Sequence, residues 1–122
     1  MERPLPLTMY GIKNCDTVKK ARAWLEGRGI AYSFHDYKSA GLERERLQRW
    51  CHDLGWEALL NRAGTTFRKL PDLEKRQLNE KRAIDLMLAQ PSMIRRPVFE
   101  GGKRLVVGFC PEDYERIAAA AR

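Results

Sequence analysis

Between Leu42 and Leu88 the chain carries helical periodicity and no strand pattern, whereas the segments on either side alternate apolar runs with glycine-bounded turns. Any sheet must therefore be assembled from the two ends of the chain. At the front, Leu7 to Tyr10 reads as a short apolar strand. The helix after it places Val18, Ala21, Trp24 and Leu25 on one side and stops at Gly27 to Gly29, and Ile30 to Tyr37 alternates as a half-buried strand. Strand, helix and strand within so few residues make the beginning of a parallel crossover unit. In the middle, Leu42, Leu47, Trp50 and Cys51 fall on one amphipathic helix, Trp56, Leu59 and Leu60 on a short second one, and Ile84, Leu86, Met87 and Leu88 on a third that Gln90-Pro91 ends. Asn61 to Leu70 is polar, basic and broken by Gly64, and reads as a loop. At the back, Val98-Phe99-Glu100 and Lys103 to Phe109 form a hairpin across Gly101-Gly102. Pro111 then opens a last helix carrying Tyr114, Ile117 and Ala118.

That order gives an α/β fold, a thioredoxin-like four-stranded mixed sheet with an inserted all-helical subdomain. A chain of 122 residues suffices for one domain and buries roughly two-thirds of its unfolded surface. The expected organisation is a single domain over 7–122, a helical insertion at 42–90 within it, and a disordered leader at 1–6, where two prolines stand without an apolar run. With 43% apolar and 32% charged residues the composition is that of a globular protein, and no run approaches the ~18 apolar residues of a spanning helix. A cytoplasmic location is expected. Cys15, Cys51 and Cys110 are odd in number and widely spaced, which fits free thiols in a reducing compartment. With only His35 and His52 beside them, a metal site is not expected. The net charge of +7 is spread among acids, as in Glu43-Arg44-Glu45-Arg46, which fits a solvated face and an anionic small substrate better than nucleic acid.

Chemistry concentrates at Tyr10-Gly11-Ile12-Lys13-Asn14-Cys15-Asp16-Thr17, a strand running through a loop into a helix. A cysteine at a helix start faces unpaired backbone N–H groups that favour thiolate over thiol. Lys13, Lys19 and Lys20 push the same way, and Asp16 opposes them if its carboxylate points at the sulfur. The alternative, Cys15 as a small buried hydrophobe, fits less well beside Asn14, Asp16 and Thr17, which form loops and caps.

These residues, with Lys19-Lys20-Ala21, Phe34-His35-Asp36-Tyr37, Gly55-Trp56, Leu60 to Leu70 and Arg96-Pro97, resemble the arsenate reductase and Spx-type family, most closely its YffB-type branch. The resemblance implies the same thioredoxin-like fold. It implies Cys15 as nucleophile and Arg96 as an arginine preceding a proline, Pro97, that is typically cis and beside the thiol. Glutaredoxin-coupled arsenate reductases of this family add a histidine before the cysteine loop and two further arginines. Here Gly11 stands at the histidine's position and Asn61, next to Arg62, at one arginine's, while Val107-Gly108-Phe109-Cys110 supplies none. Spx-type regulators mostly use a Cys-x-x-Cys switch, which Val18 rules out.

A lone active-site cysteine needs a second thiol from outside, with Cys51 and Cys110 as alternative internal resolvers that read rather as structural. The expected function is a thiol-dependent reductase, glutathione-coupled, using Cys15 on a disulfide or oxyanion substrate. Lys13, Asn14 and Thr17 would shape an anion-receptive loop, Arg96 would stabilise incoming negative charge, and Lys13, Arg62 or Arg96 would hold a carboxylate. Glutathione enters as co-substrate with no bound cofactor; a monomer without nucleic-acid or membrane partners is expected. Two alternatives are a non-catalytic Spx-like adaptor for a transcription or proteolysis partner and a glutaredoxin-coupled arsenate reductase.

Overall fold

The computed structural model describes residues 7–101 and 104–120. In chain order the elements are β1 (Leu7–Gly11), α1 (Asp16–Gly27), β2 (Ser33–Asp36), α2 (Tyr37–Ala40), α3 (Arg44–Leu54), α4 (Trp56–Leu59), α5 (Thr65–Arg68), α6 (Asp72–Arg76), α7 (Glu80–Ala89), a 3-10 turn (Pro91–Met93), β3 (Val98–Gly101), β4 (Arg104–Val107) and α8 (Pro111–Ala120). They form two compact units, one made of Met1–Ala40 and Arg96–Arg122, the other of Gly41–Arg95. The leader at 1–6 lies outside the described residues.

The first unit is the thioredoxin-like part. Its four strands are ordered β2-β1-β3-β4, with β1 and β2 parallel and β3 antiparallel to both β1 and β4. Val18, Ala21 and Leu25 form the stripe that α1 lays on the sheet. Met9 and Phe99 meet it from β1 and β3, and Tyr114, Ile117 and Ala118 close the core from α8. Phe99 and Tyr114 stack with ring centroids 4.4 Å apart. Removing side chains of this size from water stabilises a fold by about 1.5–3 kcal/mol each, so the helix faces rather than helix propensity hold the layers together.

Three local expectations change. The strand predicted over Ile30 to Tyr37 is confined to Ser33–Asp36. Asp36 ends it: its Oδ1 accepts the Lys38 N–H at 3.0 Å and its carbonyl the Ser39 hydroxyl at 3.3 Å, a turn-forming pattern that starts α2 with Tyr37. Gly101 is not in a turn but ends β3, paired with Arg104, while Gly102 and Lys103 lie outside the described residues. Its missing side chain reflects packing, because a Cβ there would come within 2.5 Å of Ile117 Cγ2 and 2.6 Å of Leu7 Cδ2. The last strand ends at Val107, since Gly108 takes a positive φ of 86° and donates its N–H to the Pro97 carbonyl at 2.8 Å.

The second unit is helical. Leu47, Trp50 and Cys51 on α3, Leu59 on α4, and Ala83, Ile84 and Met87 on α7 are buried together with Leu60, Phe67, Met93 and Ile94. The segment expected as a loop over Asn61 to Leu70 contains the helical turn α5, which buries Phe67; Gly64 accepts the Arg68 N–H at 3.1 Å. The exposed turn α6 carries no apolar stripe and left no periodic signal. A strand-like bridge pairs Leu60 with Ile94, closed by Asn61 N–H to Met93 O and Arg95 N–H to Leu59 O, each 2.7 Å, where hydropathy gave no strand pattern. No helix among the described residues is long and apolar enough to cross a membrane.

Candidate functional site

The sheet brings several loops of the first unit to one end. Because β1 and β2 are parallel, with Gly11 opposite Asp36, the loop leaving β1 and the turn leaving β2 share that edge. In the antiparallel pair Tyr10 stands opposite Val98, so β3 enters from the same edge, preceded by Arg96 and Pro97. Val107 pairs with Val98, and the Gly108 bond to Pro97 fastens the loop leaving β4 there as well. The carboxyl ends of parallel strands are where open α/β folds place ligands.

Cys15 is the N-cap of α1, with extended backbone (φ −136°, ψ 125°) and a carbonyl that accepts the Lys19 N–H at 2.9 Å. An N-cap side chain lies where it can meet the N–H groups of the second and third helical residues, here Thr17 and Val18. The sulfur does not close a cap hydrogen bond of ordinary geometry, yet it faces these donors. Burial is the largest single influence and raises the thiol. The Val18 N–H, hydrogen bonding from Arg96, the Thr17 N–H and the Arg96 charge all oppose it, and together they hold Cys15 below the ordinary thiol range. Cys15 is itself only partly buried, so a reagent can reach it.

Of the residues singled out in the sequence, the structure thus joins Cys15 and Arg96 directly. Pro97 is buried and follows a cis peptide bond from Arg96. Lys13, Asn14 and Thr17 are exposed on the loop and first turn around the sulfur. Arg62 belongs to the helical unit, where its guanidinium lies over Trp56, 6.0 Å from the ring centroid. Among the other cysteines, Cys51 is buried in the helical unit, and burial together with the Glu80 charge pushes its thiol up to about 11. Cys110 is partly buried just before α8, and Tyr114 of that helix donates its hydroxyl to the Gly108 carbonyl at 3.0 Å.

One residue of this cluster was quoted in the sequence only within the Phe34-His35-Asp36-Tyr37 motif and was given no role. Tyr37 looked like the last position of a strand, but the α2 turn buries it completely, and both Arg96 and Cys15 act on its hydroxyl. The signal available was Asp36 directly before it, a residue that commonly ends strands in turns. Among the described residues no group of three or more histidine, cysteine, aspartate or glutamate side chains could hold a metal ion.

The sequence model described as the ArsC family matches residues 10–117. A solved structure of a protein called YFFB (PA3664) is 58% identical, with a TM-score of 0.88 over 92% of this chain and 98% of that one. An arsenate reductase (ArsC) related protein from Brucella melitensis is 55% identical, with a TM-score of 0.76 over 95% of this chain and 97% of that one. A global transcriptional regulator Spx from Streptococcus pyogenes serotype M1 is 30% identical over 88% of this chain and 81% of its own length.

Proposed function

The chain belongs to the ArsC family, and for this member we propose a thiol-dependent reductase, coupled to glutathione in a reducing cytoplasm, in which Cys15 is the nucleophile and Arg96 its electrostatic partner. The observation that carries it is the Cys15 sulfur at the start of α1, turned toward two backbone N–H groups and a guanidinium that outweigh its burial.

On a glutathione mixed disulfide, the Cys15 thiolate attacks the glutathione sulfur. The Cys15–glutathione disulfide forms as the old S–S bond breaks, and the substrate leaves as thiolate. A second glutathione thiolate then attacks the glutathione sulfur of that adduct. It releases Cys15 as thiolate and carries both electrons' worth of oxidation away as glutathione disulfide. Arg96 would stabilise the negative sulfur on each side of these exchanges, and the exposed Lys13, Asn14 and Thr17 would receive the anionic co-substrate. The resolving thiol in this reading comes from outside, because Val18 occupies the position three residues after Cys15 where the second cysteine of a Cys-x-x-Cys pair would stand; Cys51 and Cys110 are the internal alternatives.

Arsenate is disfavoured as substrate by the residues around the sulfur. Gly11 stands at the family histidine's position, and a Cβ there would lie 3.0 Å from Val18 Cγ2. A larger side chain would therefore require Val18, part of the core, to move.

Intact mass after incubation with glutathione disulfide should show one glutathione adduct that Cys15→Ser abolishes, and the wild type should regenerate free thiol when reduced glutathione is added. An adduct that persists in Cys15→Ser would move the chemistry elsewhere. Robust arsenate turnover with glutaredoxin present would restore the arsenate reductase alternative. Capture of a large partner that survives Cys15→Ser, without any adduct in the wild type, would favour the adaptor.

A further inference from the structure

Tyr37 is 1% exposed, at the edge of the sheet that also carries Cys15 and Arg96. Its hydroxyl is sealed from solvent and closes no hydrogen bond of ordinary geometry among the described residues. Buried phenols almost always find a partner, so such an oxygen has a role still to be explained. The cation facing it is the Arg96 guanidinium, whose Nε is buried too and which also acts on the Cys15 sulfur. A single guanidinium thus acts on both the phenol oxygen and the reactive sulfur.

We propose that Tyr37 is a positioning residue whose buried hydroxyl holds the Arg96 guanidinium against the Cys15 sulfur; this rests on the thiol-reductase reading and extends it to the support beneath the cation. The choice of a phenol has a physical reason. Burial, the dominant influence, pushes Tyr37 up to about 12 although Arg96 pulls it down, and the charges of Cys15 and Asp36 reinforce the rise. The group therefore stays neutral at any working pH. A neutral oxygen can accept an N–H from Arg96 and fix its orientation while leaving the positive charge to act on the sulfur. A carboxylate in the same place would pair with the guanidinium and cancel much of that charge.

Alkylation kinetics of Cys15 test this on the full chain, using neutral iodoacetamide across pH and the rate ratio of anionic iodoacetate to iodoacetamide as a gauge of local positive charge. Tyr37→Phe keeps the ring and removes only the hydroxyl that meets Arg96, and circular dichroism confirms that the protein assayed is folded. The expected result is labelling at pH 6 slowed about fivefold, the value of one lost hydrogen bond, together with a lower iodoacetate preference. Neither change should appear when Tyr37→Phe is made in an Arg96→Ala background. A wild-type profile depressed as described but unmoved by Tyr37→Phe would overturn the positioning role alone. Equal slowing in the Arg96→Ala background would also overturn it, by showing that the hydroxyl acts without Arg96. An ordinary thiol profile in the wild type would overturn both this proposal and the reading beneath it.

Discussion

At the scale of single residues, three thiols on one chain are given different environments by the fold. Cys15, at a helix start beside Arg96, is held below the ordinary thiol range despite burial, whereas burial and Glu80 push Cys51 up to about 11. Because the thiolate is the nucleophile, native protein at pH 7 should incorporate iodoacetamide at Cys15 while Cys51 stays unlabelled until denaturant is added, a contrast that peptide mapping by mass reads directly. Comparable labelling of both would show that Cys51 is reachable and ionised in the folded state. Cys15 was legible in the sequence because a strand, loop and helix start is a local pattern, and Arg96 only through the resemblance of Arg96-Pro97 to the family's motif. Tyr37 was not, since its place depends on β2 lying beside β1 and on a turn that Asp36 starts.

At the scale of elements, legibility followed the hydrophobic stripe. Helices α1, α3, α7 and α8 each bury an apolar face and were found near their true places. The short turns α5 and α6 and the Leu60–Ile94 bridge depend on tertiary closure and left no periodicity. Gly101 illustrates the difference. Its sequence context reads as a turn, but its reason is the Ile117 and Leu7 side chains pressed against it. Gly101→Ala should accordingly destabilise the protein by about 1–3 kcal/mol, the usual cost of overpacking, seen as a lower urea midpoint; a neutral result would show that α8 can back away from β3. At the other unit, Asn79 caps α7, its Oδ1 accepting the Arg82 N–H at 2.8 Å. Asn79→Ala should cost about 1 kcal/mol by the same measurement, and no change would mean that the first turn of α7 is satisfied by water.

At the scale of the whole molecule, proton binding links the site to stability. Tyr37 rises from 10.0 to about 12 and Cys51 from 9.0 to about 11 on folding, so both hold their protons more tightly in the native state. Their contribution is complete below the unfolded values and is lost as pH climbs, through 9–11 for Cys51 and 10–12 for Tyr37. Stability should therefore decline in alkali, and Tyr37→Phe should flatten the upper part of that decline. A midpoint falling as steeply in Tyr37→Phe as in the wild type would show that other groups control it. Cys15 has the opposite sign: its ionisation favours the folded state above the ordinary thiol value, and that contribution is lost as pH falls through its lowered one. The α/β plan itself was legible because a strand-poor middle leaves only the chain's ends to build a sheet, whereas the convergence of four loop regions at one sheet edge follows from strand order and register, which no local pattern encodes.

The most direct test of a sulfur held ionised by a helix start and a guanidinium is the pH profile of Cys15 alkylation in wild type and in Arg96→Ala. The wild type should react at a pH where ordinary thiols are protonated, and Arg96→Ala should move its profile toward theirs and slow labelling at pH 6 by several-fold. An ordinary profile in the wild type, or one that Arg96→Ala leaves in place, would contradict the account.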